Sequence, residues 1–112
     1  MIIKTAADVP PDAVRMPGAK GVDIRLLIHQ AEGAPNFYMR QFTLAPGGHT
    51  PEHAHDWEHE MYVLSGSGTA LTPDGEREVR RGDCIYVAPN DRHQFRNTGA
   101  EALEFLCLIP KT

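Results

Sequence analysis

The sequence has no apolar run approaching the roughly 18 residues that a membrane-spanning helix needs, which argues against a helical membrane protein. Lys and Arg are scattered rather than gathered into a stripe, and the net charge is -4, so a nucleic acid would find no electrostatic footprint. Cysteine is scarce: Cys84 and Cys107 lack CxxC spacing and are expected as buried thiols in a reducing compartment. Internal repeats, low-complexity tracts and linkers are missing, and apolar residues never keep helical spacing for more than a turn or two. The first residues, MIIKTAADVPPD, reach acids and prolines too soon for a secretory signal, so the expected location is the cytoplasm. These absences leave one domain over residues 1–112, long enough to bury about two-thirds of its unfolded-chain surface.

What is present is a period of two. Val22, Ile24, Leu26 and Ile28 alternate with Asp23, Arg25, Leu27 and His29, the mark of a half-buried strand. Phe37–Leu44 reads as a second strand of unclear parity, because Phe37 and Met39 fall on one face while Phe42 and Leu44 fall on the other; Pro46-Gly47-Gly48 is expected to end it. Further strands are expected at His59–Leu64, Thr69–Thr72, Glu76–Arg80, Cys84–Ala88, Arg92–Arg96 and Leu103–Ile109, set apart by turns such as Pro73-Asp74-Gly75. Pro10, Pro11 and Pro17-Gly18 forbid a long element in residues 1–21, where Met1-Ile2-Ile3 is expected as a short edge strand on a partner subunit. So many short strands mean an all-β sandwich or small barrel, since a double sheet or closure is needed to dispose of the edges. The last strand, LEFLCLIP, is apolar on both faces apart from Glu104, and a homodimer is the expected way to cover the outer one.

From Gly47 to Gly66 the chain reads GGHTPEHAHDWEHEMYVLSG, which concentrates His49, His53, His55 and His59. On an extended segment His53 and His55 project to the same side, and His59 opens a strand whose face continues with Met61 and Val63. His93, in RHQFRN, shares a face with Phe95 and is remote in sequence, but distant strands become neighbours in an antiparallel barrel. Imidazole is the commonest protein metal ligand, so His53, His55, His59 and His93 are the expected shell of a metal centre. Alternation turns Glu58 and Glu60 to the opposite face, leaving them as outer hydrogen-bond partners, or as ligands only through a bulge. Met61, Phe95, Phe105 and Cys107 are the expected lining of a cavity. Two readings stay open for Arg40, a carboxylate anchor and, preferred, a charge facing water. His49 reads as a loop residue at the mouth of the site and His29 as a surface residue.

These residues resemble the two motifs of the cupin family, small double-stranded β-helix (jelly-roll) barrels. The first motif runs Gly, five residues, His-x-His, three or four residues, Glu, six residues, Gly; Gly47, His53, His55 and Gly66 fit, with His59 where the Glu belongs. The second runs Gly, five residues, Pro-x-Gly, two residues, His, three residues, Asn; Gly82, His93 and Asn97 fit. Pro89 comes one residue late and Asn90 stands at the Gly position, a mild departure because Asn tolerates the left-handed region. The resemblance implies a single cupin barrel over residues 22–110. His59, with the PNFYMR and EFLCLIP segments, is similar to the four-histidine, manganese-binding monocupins.

That resemblance implies one divalent transition metal per chain, Mn(II) or Fe(II) ahead of Ni, Cu and Zn, although four imidazoles by themselves select none of these. Imidazole in place of a carboxylate leaves an ion its full charge and makes it a stronger Lewis acid and a better host for an anion. The expected function is a metal-dependent enzyme acting on a small, anionic molecule among others, with dioxygenase-like oxidation favoured. A non-redox isomerase or decarboxylase and a non-catalytic small-ligand or sensor protein are the alternatives.

Overall fold

Alternating apolar and polar residues build nine strands, which Gly, Pro, Asn and Asp turns fold back on one another. The computed structural model describes all of residues 1–112. Its strands are β1 (Asp12–Ala13), β2 (Lys20–Ile28), β3 (Phe37–His49), β4 (His59–Ser65), β5 (Ser67–Thr72), β6 (Gly75–Arg80), β7 (Cys84–Val87), β8 (Gln94–Arg96) and β9 (Leu103–Pro110). Two single 3-10 turns, Ala6–Asp8 and Gln30–Glu32, are the helical content. No helix is long and apolar enough to cross a membrane.

One antiparallel sheet runs in the order β6-β5-β8-β3-β9-β4-β7, with β2 added to β3 and β1 to β2. The sheet curls on itself, and its inner face is the core. Four consecutive inner pairs define that face: Tyr38 opposite Ile109, Arg40 opposite Cys107, Phe42 opposite Phe105 and Leu44 opposite Leu103. The parity of β3 is thereby settled: Tyr38 and Leu44 are buried inside, and Phe37 is exposed outside. The expectation that Arg40 faces water is corrected, because it occupies an inner position between Tyr38 and Phe42.

Strand β3 does not end at Pro46-Gly47-Gly48, as expected, but runs on to His49. Gly47 takes φ +80, a left-handed value that costs glycine little, and the backbone bends without leaving the sheet. At Gly48 a Cβ would lie 2.8 Å from the Lys20 carbonyl oxygen, so only glycine lets β2 and β3 approach there. The register shift between Lys20 and Val22 marks the same bend as a bulge. This extension matters for the site: it carries β3 to β8, where His49 pairs with Arg96.

Asn97 holds that corner from inside. It is 3% exposed, its Nδ2 donates to the carbonyls of Leu44 and Glu101 at 2.8 Å, and its Oδ1 accepts from Gly99 N. Asn90 is the one non-glycine residue with positive φ, at 69°, and its N–H donates to the His55 carbonyl. The second-motif turn therefore takes the left-handed conformation expected of it, and it is tied to the histidine segment.

Two features of the edges are seen within the single chain. Met1–Ile3 forms no strand and is exposed; Asp12–Ala13 pairs instead with Ile24 and Asp23 of the chain's own β2. Proline leaves room for only two paired residues there. The outer residues of β9, Leu106 and Leu108, are half-buried within the single chain, beside Gln41 and Met39 of β3.

Candidate metal centre

Two separate segments deliver the histidines to one place. The loop between β3 and β4 carries His53 and His55, and His59 opens β4 with its side chain inward beside Met61 and Val63. His93 is remote in sequence, but it forms an isolated bridge with His53. Each residue's N–H donates to the other's carbonyl, at 3.1 Å and 2.9 Å. This pair, with the bonds from Thr50 N–H to the Phe95 carbonyl and from Asn90 N–H to the His55 carbonyl, closes a gap of forty residues.

The ligand atoms of His53, His55 and His93 all lie within 4.8 Å of one another. The His59 ring centre stands 5.1 Å from those of both His55 and His93. Two of the rings are oriented from behind. Nδ1 of His93 lies 2.8 Å from the Asp91 carbonyl, and Nδ1 of His59 lies 3.2 Å from Sγ of Cys107. A ring that donates from Nδ1 presents a bare lone pair at Nε2. Nε2 of His59 is buried and has no partner. An unsatisfied buried nitrogen is costly, and an ion among the four rings would satisfy it.

The protonation of the rings fits such an ion. Burial pushes His59 down to about 3, with help from His93 and Arg40, and pushes His53 down to about 4, with help from His55, His93 and Arg92. His55 is lowered by burial and by the neighbouring His93 and Arg40, against the weaker pull of Asp56. These three are neutral at physiological pH, the form in which imidazole binds metal. Burial raises the Cys107 thiol, against the opposing effect of Arg40, so it stays protonated.

The rings open into a cavity of about 340 Å³ inside the curled sheet. Phe95, Phe105, Cys107 and Met61 line it, as does Arg40. Glu58 and Glu60 do not: they stand across the sheet on a second, outward-facing groove of about 400 Å³, beside Phe37 and Leu108. Alternation along β4 allows nothing else, and no bulge turns either carboxylate inward. His49 also stays off the cavity, half-buried at the end of β3 with Nδ1 3.3 Å from the Thr50 carbonyl. His29, read as a surface residue, is half-buried and stacks on Tyr38 at 3.9 Å.

Eight cavity residues escaped the sequence reading, Trp57, Val14 and Met16 among them. Trp57 stacks on His55, ring centres 4.3 Å apart and 6° from parallel, and Val14 and Met16 reach the cavity from the segment after β1. Trp57 was legible only as the lone tryptophan, two residues from both His55 and His59, and Val14 and Met16 lie in a proline-broken stretch with no periodicity to read.

The cupin-domain family model matches residues 40–109. The polyketide cyclase RemF from Streptomyces resistomycificus is 37% identical and superposes with a TM-score of 0.95, covering 100% of this chain and 80% of that one. A predicted oxalate decarboxylase from Thermotoga maritima superposes with a TM-score of 0.86 at 26% identity, covering 99% of this chain and 100% of that one. Auxin-binding protein 1 of Arabidopsis thaliana is 29% identical over 98% of this chain and 59% of that protein. The chain spans less than two-thirds of the length of the first curated relatives it matches.

Proposed function

The chain belongs to the cupin family, and from that premise we propose that it is a metal-dependent enzyme acting on a small, mostly apolar molecule that bears a carbonyl group. The observation that carries this reading is the convergence of four imidazoles on a cavity lined otherwise mainly by apolar side chains. His53, His55, His59 and His93 would hold one divalent transition metal, His59 and His93 through Nε2 because their Nδ1 atoms are engaged. When bound, the ion supplies Lewis acidity, polarising a carbonyl oxygen and acidifying the carbon beside it with a charge that four neutral ligands leave undiminished. The donor set accepts Mn(II), Fe(II), Ni, Cu and Zn alike; the preference for Mn(II) or Fe(II) belongs to this proposal through the resemblance to four-histidine monocupins.

The chain's own residues bind, orient and exclude water. Cys107 and the Asp91 carbonyl fix two of the rings. Phe95, Phe105 and Trp57 hold an apolar body against the rings and keep bulk water out, which strengthens every electrostatic interaction inside. No carboxylate lines the cavity, so no side chain there is placed as a general base, and the proton lost from the acidified carbon would pass to solvent water or hydroxide. That favours chemistry centred on the polarised carbonyl. The similarity to a polyketide cyclase, which covers 100% of this chain and 80% of that one, supports a non-redox reaction, since ring closure draws on carbon made acidic by a neighbouring carbonyl.

A second reading, dioxygenase-like oxidation, is favoured by the donor count: four ligands on an octahedral ion leave about two positions open. One experiment separates the two. Under anaerobic conditions in D2O, metal-loaded protein should accelerate exchange of the methyl hydrogens of acetophenone about tenfold or more over chelator-stripped protein, followed by NMR. No acceleration overturns the non-redox reading. Metal-dependent oxygen uptake with diketones or catechols would establish the oxidative one in its place.

A further inference from the structure

One charge inside the cavity has no counter-charge. Among the residues lining it, Arg40 is the only one with a permanent charge, and none is Asp, Glu or Lys. The chain's ion pairs are Lys4–Glu32, Arg92–Glu52 and Arg96–Glu76; Arg40 is in none of them. Asp56 and Glu60 are exposed and Glu58 is half-buried, all three outside the cavity lining. The guanidinium is held in place by neutral groups alone. Nη2 donates to Sγ of Cys107 at 3.0 Å, and the head lies over the Phe42 ring, 5.0 Å from its centre. Nε is buried and has no partner. A charged group kept in an apolar enclosure with an unused donor is costly unless something that visits the enclosure compensates it.

We infer that Arg40 is the anion receptor of this cavity and that the ligand is an aryl or acyl carboxylate, with its acid group on Arg40 and a second oxygen a few bonds away directed at the histidines. This rests on the proposed metal centre for the second oxygen only; the recognition of the acid group stands on Arg40 itself. One thiol links the two: Cys107 Sγ is 3.0 Å from Arg40 Nη2 and 3.2 Å from His59 Nδ1, so the guanidinium and the ring whose far nitrogen, Nε2, would meet the ion share a neighbour. A small molecule carrying both an acid and a second oxygen, such as a 2-oxo acid or a 2-hydroxybenzoate, presents the two groups this arrangement calls for. The apolar walls suit a ring or short chain as the body. The paired Nη groups match a carboxylate in two hydrogen bonds, which a neutral amide cannot reproduce.

The probe is 2-hydroxybenzoate against its neutral isostere 2-hydroxybenzamide, by calorimetry on metal-loaded and chelator-stripped protein, with metal content measured in parallel. Wild type should prefer the carboxylate by roughly ten- to hundredfold, the range of a charge-assisted pair. In Arg40→Gln the preference should vanish while metal content is unchanged; in Arg40→Lys, which keeps the charge but not the fork, part of it should remain. Equal affinity for the two probes in wild type overturns the inference, as does an undiminished preference in a folded Arg40→Gln protein. If Arg40→Gln does not fold, the wild-type pair and Arg40→Lys decide. If wild-type protein takes up no metal and the stripped protein still prefers the carboxylate through Arg40, the enzyme reading fails and the anion receptor stands.

Discussion

Strand β4 serves two regions of opposite character. Its inner face gives His59 and Met61 to the histidine cavity, and its outer face gives Glu60, with Glu58 just ahead of it, to the acidic groove beside Phe37. Three successive residues, Glu58-His59-Glu60, therefore work on both sides of a sheet one backbone thick. Burial lowers the imidazole inside, and outside it raises Glu60, which the hydrogen bond and charge of Glu58 raise further. The lesson is about charge. Period-two alternation keeps carboxylates adjacent in sequence out of the cavity, so an ion held there would meet neutral ligands and Arg40, and no anion from the chain.

Removing groups from either side tests the contrast directly. His93→Ala or His59→Ala should reduce metal affinity by more than the roughly 10–100-fold that losing an outer partner of a ligand costs, whereas Glu58→Gln and Glu60→Gln should leave it unchanged. Metal per chain after dialysis, measured by elemental analysis, checks this. An acidic variant that strips the metal would place the centre on the wrong side of β4. Cys107→Ala should have an intermediate effect, about tenfold weaker metal binding, because the His59 ring loses the group that orients it. If Cys107→Ser restores the affinity, orientation through the hydrogen bond is the reason, and not packing.

Acidity should act on the two regions in opposite directions. His53 and His59 fall from 6.5 to about 4 and about 3 in the folded chain. Below pH 6.5 the unfolded chain takes up protons that the folded chain refuses, so metal-free protein should be most stable above that pH and lose stability down to about pH 3. Glu60 has the reverse sign: its folded pKa is raised above 4.5, so its contribution is present in acid and lost as pH rises. Solvent screens that exposed carboxylate, and the histidines should dominate. The melting temperature of metal-free protein, followed from pH 4 to pH 8, should rise to about pH 6.5 and then level off. A His53→Gln, His59→Gln double variant should flatten the rise, and Glu60→Gln should leave it in place.

Much of the barrel was legible because alternation and turn chemistry are local. The strands at Val22–Ile28, His59–Leu64 and Leu103–Ile109 are found within two residues of their expected ends, as β2, β4 and β9. Where the reading went astray, a long-range contact had overruled a local signal. Pro46-Gly47-Gly48 is a breaker by composition, yet the close approach of Lys20 to Gly48 keeps β3 in the sheet. Arg40 looked like a surface charge because arginine usually is one, and only its pairing with Cys107 reveals that its place in the alternation is inward.

The sequence by itself determined the period of the strands, the turns between them and the inward face of His59, because side-chain direction along a strand depends on position alone. Tertiary structure decided which strands became neighbours. It brought His93 to His53 through two backbone hydrogen bonds, set Cys107 behind His59, brought Trp57, Val14 and Met16 to the cavity wall, and left Arg40 inside without a counter-charge. Those are matters of pairing and register between distant segments, which depend on the whole sheet curling and closing, and no local pattern encodes them.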